Sequence, residues 1–373
     1  MVEVCGQASP RITADVKLSE TMRQPDDPLK NERSREILRR AISIFVTTGR
    51  PVGSRMIARH SLENLSPATV RNAMADLEEM GYLRQPHASA GRIPTDKAYR
   101  FYVDYLLERH ELSAKDRSLV DIGLRPENNA ERLMVRTSQV LSQVSRSLGI
   151  VVSPPISSVA LQHIQFMALP DKRILVILVS RAGIVQNRII QMDEEFLQPE
   201  LDQAGRYIVE HFHDKTLVEI RSAVLQLIRQ DRARHDRFMQ RVIMLSTKAF
   251  PDSEEDIQPV YFQGAANLMK TPEFSDTKRM RALFETIEQK SKLAALISQC
   301  IKEDTEEVRI SIGAENTLPG IEDCTLITSR YIIDDKTHGS LGILGPTRME
   351  YGKAISLVEY VARLFGRVLG ARN

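Results

Sequence analysis

Residues 65–83 read LSPATVRNAMADLEEMGYL, and this stretch decides the fold of the N-terminal part of the chain. Ser66 is a typical helix N-cap, and Pro67 takes the first helical position, where its missing N–H costs nothing. Apolar residues then recur at the i, i+4, i+7 spacing of one helix face, namely Val70, Met74 and Leu77. Gly81 is typical of a residue that ends a helix. The stretch therefore predicts a helix from Ser66 to about Met80.

The segment before this helix predicts two more helices. Asn31 is suited to cap a first helix, whose apolar residues recur at helical spacing and stop before Gly49. Residues 51–53 read PVG and predict a turn, and Ser54 is expected to cap a short second helix that begins there.

The segment after it predicts a hairpin and a fourth helix. Residues 82–85 and 92–93 are short extended stretches on either side of the loop 86–91. Three helices followed by a hairpin are typical of the winged helix-turn-helix. A fourth helix, predicted from Thr95 to about Arg109, is rich in aromatic residues and is expected to link domains or to form a dimer.

The third helix carries a small, hydrogen-bonding face opposite its apolar residues. At about 100° per residue that face presents Ala68, Asn72 and Ala75, flanked by Thr69 and Arg71. Small residues let a helix lie deep in the major groove of DNA, where Asn pairs with adenine and Arg with guanine or a phosphate. These features predict that the third helix reads DNA.

The start of this helix and the hairpin supply further candidates. Ser66 and the free N–H groups of the first turn offer a phosphate site, and Gly91 is expected to allow close approach to DNA. The predicted DNA-contacting residues are Ser66, Ala68, Thr69, Arg71, Asn72, Arg84, Ser89, Gly91 and Arg92. Two alternatives stay open, because winged helices also dock on proteins and polar residues on a helix are often only solvated. Arg55 and Arg59 on the second helix are phosphate contacts or plain surface.

The charge of the chain is concentrated near its N-terminus. Residues 29–107 hold thirteen Lys or Arg and eight Asp or Glu, an excess of five positive charges, whereas the whole chain carries only +2. A basic module on a mildly acidic body suggests a polyanionic partner, although an excess of five is also compatible with a solvated face.

Composition excludes several classes of protein. At 373 residues the chain is long enough for two or three domains. Its longest apolar run, residues 174–179, is far below the roughly 20 residues that span a bilayer, so no membrane partner is expected. The three cysteines lack a C-x-x-C spacing, which argues against disulfides and zinc and favours a reducing cytoplasm.

Enzymatic motifs are missing from the sequence. It contains no G-x-S-x-G, H-E-x-x-H or phosphate-binding loop, and Gly339, Gly342 and Gly345 fit no dinucleotide fingerprint. His211 and His213 lie two residues apart on a predicted helix, where their side chains diverge by about 200°. We therefore expect no enzyme, no cofactor and no metal site.

The rest of the chain predicts an α+β domain that a mostly helical insertion interrupts. A helix is predicted at 131–148, followed by an antiparallel meander of strands near 160–169, 173–179 and 184–190. Helical spacing occupies residues 193 to about 250. Helices near 280–302, strands at 308–312, 324–333 and 340–344, and a last helix at 351–369 complete the chain.

In sequence, these motifs resemble the heat-inducible transcription repressor family, HrcA. The stretches that carry the resemblance are NER at 31–33, PVGS at 51–54, LSPATVRN at 65–72, MADLEEMGYL at 74–83, SAGRIPT at 89–95, GAEN at 313–316 and GPTRMEY at 345–351. The resemblance runs from about residue 28 to the end, and only the leader before it departs from the family pattern.

The resemblance implies a multidomain α+β architecture. It comprises a winged helix-turn-helix DNA-binding domain at 29–109, a GAF-like α+β domain at 110–192 and 262–373, and a mostly helical inserted dimerisation domain at 193–261. Residues 1–28 mix Pro, Asp, Arg and Gln without a hydrophobic period, and this composition predicts a disordered leader. A flexible linker is expected around residues 107–118.

The same resemblance implies a function. It implies a homodimer that binds an inverted-repeat operator in double-stranded DNA near chaperone promoters, and whose activity the GroE chaperonin maintains. The residues that it marks as DNA-contacting are Ser66, Thr69, Arg71 and Asn72 on the helix and Ser89, Gly91 and Arg92 on the wing.

A ligand-controlled regulator is the alternative function, because GAF-like domains often hold a small molecule under their sheet. Its candidate polar residues are Glu315, Asn316, Arg330 and Arg348. Each of them is also typical of a strand edge or a helix cap.

Overall fold

The computed structural model describes residues 29–60, 65–108, 110–127, 129–227, 237–250, 258–302, 308–334 and 337–371. The predicted leader at 1–28 therefore lies outside the described residues. The chain forms three parts. They are the winged-helix head (residues 29–106), the insert (residues 161–250) and the body, which comprises the other described residues.

The winged-helix head has the predicted order of elements. Its helices are α1 (Glu32–Thr48), α2 (Ser54–His60), α3 (Pro67–Glu79) and α4 (Asp96–Phe101), and its hairpin pairs β1 (Leu83–Arg84) with β2 (Ile93–Pro94). The Asn31 side chain accepts a hydrogen bond from the N–H of Arg33, and Gly49 ends α1 in the left-handed conformation. Both caps of the first helix are therefore those that the sequence predicts.

The second and fourth helices differ in detail from the prediction. Ser54 is the first residue of α2, and the carbonyl of Gly53 instead accepts the first hydrogen bonds of the helix. The α4 helix ends at Phe101 and continues as a π-helical turn, Tyr102–Leu106, short of the predicted Arg109. Phe101 stacks on Tyr105, with ring centroids 4.8 Å apart.

The C-terminal part of the segment 107–118, expected to be a flexible linker, lies in a helix. Helix α5 (Ala114–Gly123) begins after Ser113, whose hydroxyl accepts a hydrogen bond from the N–H of Asp116. Lys353 of the body pairs with Asp116 at 3.0 Å, and Tyr360 donates to Asp121 at 2.6 Å. These contacts attach the segment to the body.

The body is built on a five-stranded sheet with the strand order β7-β3-β10-β9-β8. Its strands are β3 (Leu148–Val152), β7 (Val260–Gln263), β8 (Arg309–Ile312), β9 (Cys324–Ile332) and β10 (His338–Pro346), and every pairing is antiparallel. Helices α6 (Ala130–Ser145) and α13 (Tyr351–Gly370) share a hydrophobic core with one face of the sheet and with the head. Helices α10 (Ala265–Met269), α11 (Thr277–Glu288) and α12 (Lys290–Lys302) pack on the other face.

The insert has a core of its own. The predicted meander forms a separate three-stranded sheet of β4 (Leu161–Leu169), β5 (Arg173–Ser180) and β6 (Val185–Gln191). Its apolar face packs against α7 (Gln198–Phe212), α8 (Leu217–Leu227) and α9 (Arg237–Ala249) in a second hydrophobic cluster. The boundary predicted at residue 192 runs through this cluster, because the meander packs with the insert helices and does not join the body sheet.

Two strands of the body sheet are absent from the prediction. All five residues of β3 are buried, so the strand lacks the alternation of apolar and polar residues that marks a half-exposed strand. It begins three residues after α6, and the sequence prediction merges its start with that helix. The other missed strand, β7, pairs with β3 and crosses the predicted boundary at residues 261–262.

Candidate nucleic-acid interface

The start of α3 is closed by its own N-cap. The Ser66 hydroxyl accepts a hydrogen bond from the N–H of Thr69 at 3.1 Å, and the two hydroxyl oxygens lie 2.9 Å apart. Pro67 stands at the first helical position, as predicted. Ser66 thus orients the first turn, and its side chain remains exposed at the end of the helix.

The two faces of α3 divide as the sequence predicts. Val70, Met74 and Leu77 are at most 1% exposed and pack in the core of the head. The opposite face, with Ala68, Arg71, Asn72 and Ala75, is exposed, and Thr69 is half-buried. Ala73 is also buried, which widens the inward face beyond the predicted residues. A small, polar helix face with one cation is therefore available to a groove.

The wing presents two of its predicted residues to solvent. Arg84, at the end of β1, and Ser89, in the loop that follows, are exposed. The loop is closed by the Gln85 side-chain amide, which donates to the carbonyls of Ala88 at 3.0 Å and Ala90 at 2.8 Å. The wing therefore places a cation and a hydroxyl beside α3.

Gly91 has a packing role that the sequence does not reveal. The backbones of Val52 and Arg92 pair through two hydrogen bonds of 2.8 and 2.9 Å, which brings the wing against the turn before α2. A Cβ atom at position 91 would lie 2.6 Å from the carbonyl carbon and oxygen of Val52. Glycine is required there by this contact within the protein, whereas the sequence interpretation assigns the close approach to DNA.

Arg92 of the wing forms an ion pair with helix α3. Its Nε donates to Oε2 of Glu78 at 2.7 Å, and the two side chains are 18% and 33% exposed. Glu78 is not among the predicted site residues, because it lies 14 positions from Arg92 and reaches it only when the hairpin folds back.

The head is fixed to the body by ionic and hydrogen-bonding contacts. Arg100 of α4 forms a two-pronged ion pair with Glu315, and the Asp96 carboxylate accepts a hydrogen bond from the N–H of Ala314 at 3.2 Å. Arg348 pairs with Glu273 and donates to the carbonyl of Val46 in α1 at 3.0 Å. The α4 helix therefore links domains, which is one of its two predicted roles.

The residues proposed for a ligand pocket make contacts within the protein. Glu315 and Arg348 hold the head on the body, as described above. The buried Asn316 donates from Nδ2 to the carbonyls of Gly313, Ile321 and Cys324, and so closes the loop between β8 and β9. Arg330 is half-buried on β9. These contacts of Glu315, Asn316 and Arg348 are therefore structural ones.

The histidines considered as metal ligands serve other contacts. His211 stacks on Tyr207 with ring centroids 4.0 Å apart, and His213 lies 2.9 Å from Asp214. Within the residues that the structure describes, no group of three His, Cys, Asp or Glu side chains is arranged to hold a metal ion. Among the described helices, none has an apolar stretch of the length that a bilayer requires.

The capped helix with a small, polar face and the adjoining wing define a winged-helix DNA-binding protein. Residues 31–104 match the family described as "Winged helix-turn-helix transcription repressor, HrcA DNA-binding", and residues 131–355 match "HrcA protein C terminal domain". The chain belongs to the HrcA family of heat-inducible transcription repressors.

Curated relatives support this assignment along nearly the whole chain. The "Heat-inducible transcription repressor HrcA" of Geobacter sulfurreducens is 41% identical over 91% of this chain and 98% of its own length. That of Syntrophobacter fumaroxidans is 36% identical over 91% of this chain and 97% of its own length. A crystal structure titled "hypothetical protein" has the same fold, with a TM-score of 0.62 at 20% identity over 92% of this chain and 99% of that one.

Proposed function

We propose that this protein is a dimeric repressor that binds an inverted-repeat operator at chaperone operons in the cytoplasm. The observation that carries the proposal is the exposed, small and polar face of α3 beside the wing. Such a face fits the major groove, and a two-fold dimer presents two of them to the two arms of an inverted repeat. Footprinting upstream of a chaperone operon tests the proposal, and the expected result is protection of both arms.

The site residues divide into base-reading and backbone-positioning roles. Asn72 and Arg71 are proposed to contact base edges, while Ala68 leaves room for the groove floor. Ser66 and Thr69 set the first helical turn against a phosphate. The wing residues are Arg84, Ser89 and Arg92, which are proposed to follow the DNA backbone, and Gly91, which keeps the wing in place.

The insert offers a surface for dimerisation. The face of its sheet that is turned away from α7 carries Leu175, Ile177 and Val179 along the central strand β5. The neighbouring strands add Met167, Val185 and Ile189, which are 41%, 62% and 57% exposed. Exposed apolar patches of this kind mark interaction sites, and we propose that a second copy of the chain covers this one.

The same apolar surface gives a physical reason why repressor activity would depend on the GroE chaperonin. Before pairing, the apolar sheet face is open to non-specific association, and a chaperonin that shields it keeps the chain competent to bind DNA. When heat fills the chaperonin with other clients, repression falls. Operator binding by the purified protein is expected to decay during a heat ramp and to persist longer with chaperonin present. Equal persistence without chaperonin contradicts this dependence.

A further inference from the structure

Glu78 holds the wing of the head from the last turn of α3. Its Oε2 accepts a hydrogen bond from Nε of Arg92 at 2.7 Å, and its Oε1 accepts one from the backbone N–H of Gln85 at 3.0 Å. Gln85 follows the first strand of the wing, and Arg92 precedes the second. One carboxylate on the proposed recognition helix therefore joins both sides of the hairpin.

The contact continues to the tip of the wing. The side-chain amide of Gln85 donates to the carbonyls of Ala88 and Ala90, so the loop is bonded to the residue that Glu78 holds. The strands themselves are only two residues long, and Pro94 has no N–H to donate. Because short isolated hairpins are marginally stable in water, the position of this wing depends on contacts outside its own strands.

The contact with Glu78 uses only one of the three guanidinium nitrogens of Arg92. The guanidinium is bonded to Glu78 through Nε, and within the described ranges its two terminal nitrogens have no further hydrogen bond. An arginine held in this way can still offer two donors to a phosphate oxygen. The pairing also offsets the negative charge of Glu78, which would otherwise repel the DNA backbone.

We propose that Glu78 is a positioning residue of the DNA interface, which sets the wing against α3 and orients Arg92 toward a phosphate. This inference rests on the proposed function of the head. This role of Glu78 and simple electrostatics predict opposite changes in DNA affinity when the Glu78 charge is removed. Removing a negative charge beside DNA should tighten binding, whereas removing a positioning contact should weaken it.

The test compares E78Q with E79Q in the full-length protein. Both variants remove one negative charge from adjacent positions of α3, but Glu79 is exposed and has no side-chain partner among the described residues. In E78Q an NH2 group, which only donates, replaces one of the two carboxylate oxygens and faces either the N–H of Gln85 or Nε of Arg92, so one of these two hydrogen bonds is lost. The probe is the duplex that the wild-type protein protects in footprinting. We expect E78Q to bind it about three- to tenfold more weakly and E79Q to bind it at least as tightly as wild type.

The salt dependence and a double variant show whether Glu78 acts through Arg92. Each phosphate contact adds about 0.9 to the magnitude of the slope of log K against log salt. We expect E78Q to reduce this magnitude by about one contact, as R92A does. This reduction is expected although E78Q makes the protein more positive. We also expect E78Q to add little to R92A. An unchanged slope, additive effects, or binding by E78Q equal to that of E79Q overturns the inference.

The outcome separates this inference from the proposed function. If the wild-type protein protects no operator, the proposed function fails. If wild type protects the operator and E78Q does so equally well, the proposed function stands and only the role of Glu78 is lost. Equal melting temperatures of wild type, E78Q and E79Q show that the comparison is made between folded proteins.

Discussion

Arg100 and Glu315, 215 positions apart in the chain, join the winged-helix head to the body. Nε of Arg100 donates to Oε1 of Glu315 at 2.8 Å, a terminal nitrogen donates to Oε2, and the same nitrogen donates to the carbonyl of Ile310 at 2.7 Å. Arg100 lies on α4, which directly follows the wing. The pair therefore helps to fix the direction in which α3 and the wing face relative to the body.

The stability contributed by this pair should decline in acid. Burial of Glu315 opposes its ionisation, but the hydrogen bonds from Arg100 and Ile312 outweigh burial and lower its pKa. A group with a lowered folded-state pKa stabilises the protein above its unfolded pKa, about 4.3 for Glu, and loses that contribution as pH falls through the folded value. E315Q should cost about 1 kcal/mol or less at neutral pH, because both side chains are partly exposed. The difference in free energy of unfolding between wild type and E315Q, measured in urea, should shrink as pH falls below about 4.3.

The control for this measurement is E285Q. Glu285 is an exposed carboxylate on α11, and the part of the chain that the structure describes gives it no side-chain partner. Its variant should match wild type at each pH. A gap between wild type and E315Q that persists undiminished in acid argues against the ion pair as its cause.

Gly91→Ala should displace the wing. The new Cβ would lie 2.6 Å from the backbone of Val52, closer than real Cβ atoms come, so the pairing between Val52 and Arg92 must open. Gly53→Ala is the matched control, because no atom lies within 4 Å of its added Cβ. We expect operator affinity and melting temperature to fall clearly in G91A and much less in G53A. If G91A and G53A have the same operator affinity and the same melting temperature, Gly91 does not have this packing role.

Ile189→Glu should dissociate the dimer. Ile189 is 57% exposed on the apolar face of the insert sheet, and a carboxylate buried between two copies lacks a partner. Met269→Glu, at a 58% exposed position on α10, is the control outside this face. Sedimentation equilibrium should show monomers of I189E and dimers of M269E. Dimers of both would place the interface elsewhere.

Cys324 should resist alkylation until the body unfolds. Its thiol lies in the core on the α11 side of the sheet, where burial, followed by the charges of Asp323 and Glu322, raises its pKa to about 12. Little thiolate is therefore present near neutral pH. Mass spectrometry of the Cys324 peptide should show labelling by iodoacetamide in urea and almost none in buffer. Rapid labelling in buffer would contradict the packing of β9.

The features predicted from the sequence are local ones. Ser66 and Pro67 start α3 because capping and proline geometry act within one helical turn, and Val70 and Leu77 identify its inward face by their spacing alone. The caps of α1 follow from Asn31 and Gly49 in the same way. The winged-helix order needs no more than these signals and a short hairpin.

The remaining features depend on contacts between distant segments. The pair of Glu78 and Arg92 forms only after the hairpin folds back on α3, and the pair of Arg100 and Glu315 forms only after the head meets the body. The continuous apolar run of β5, bounded by turns, predicts a strand but does not specify which sheet it joins. Strand β3 lacks alternation because both of its faces are buried.

We propose that the exposed face of α3 reads the operator, and footprinting of a double variant is the decisive measurement. R71A combined with N72A removes the two proposed base-reading side chains, at about 1 to 3 kcal/mol for each well-placed contact. R125A removes an exposed arginine of the body and is the charge control. We expect the double variant to stay dimeric and to lose protection of both operator arms, and we expect R125A to retain this protection. If the double variant protects the operator as well as wild type does, the exposed face of α3 does not read it through Arg71 and Asn72.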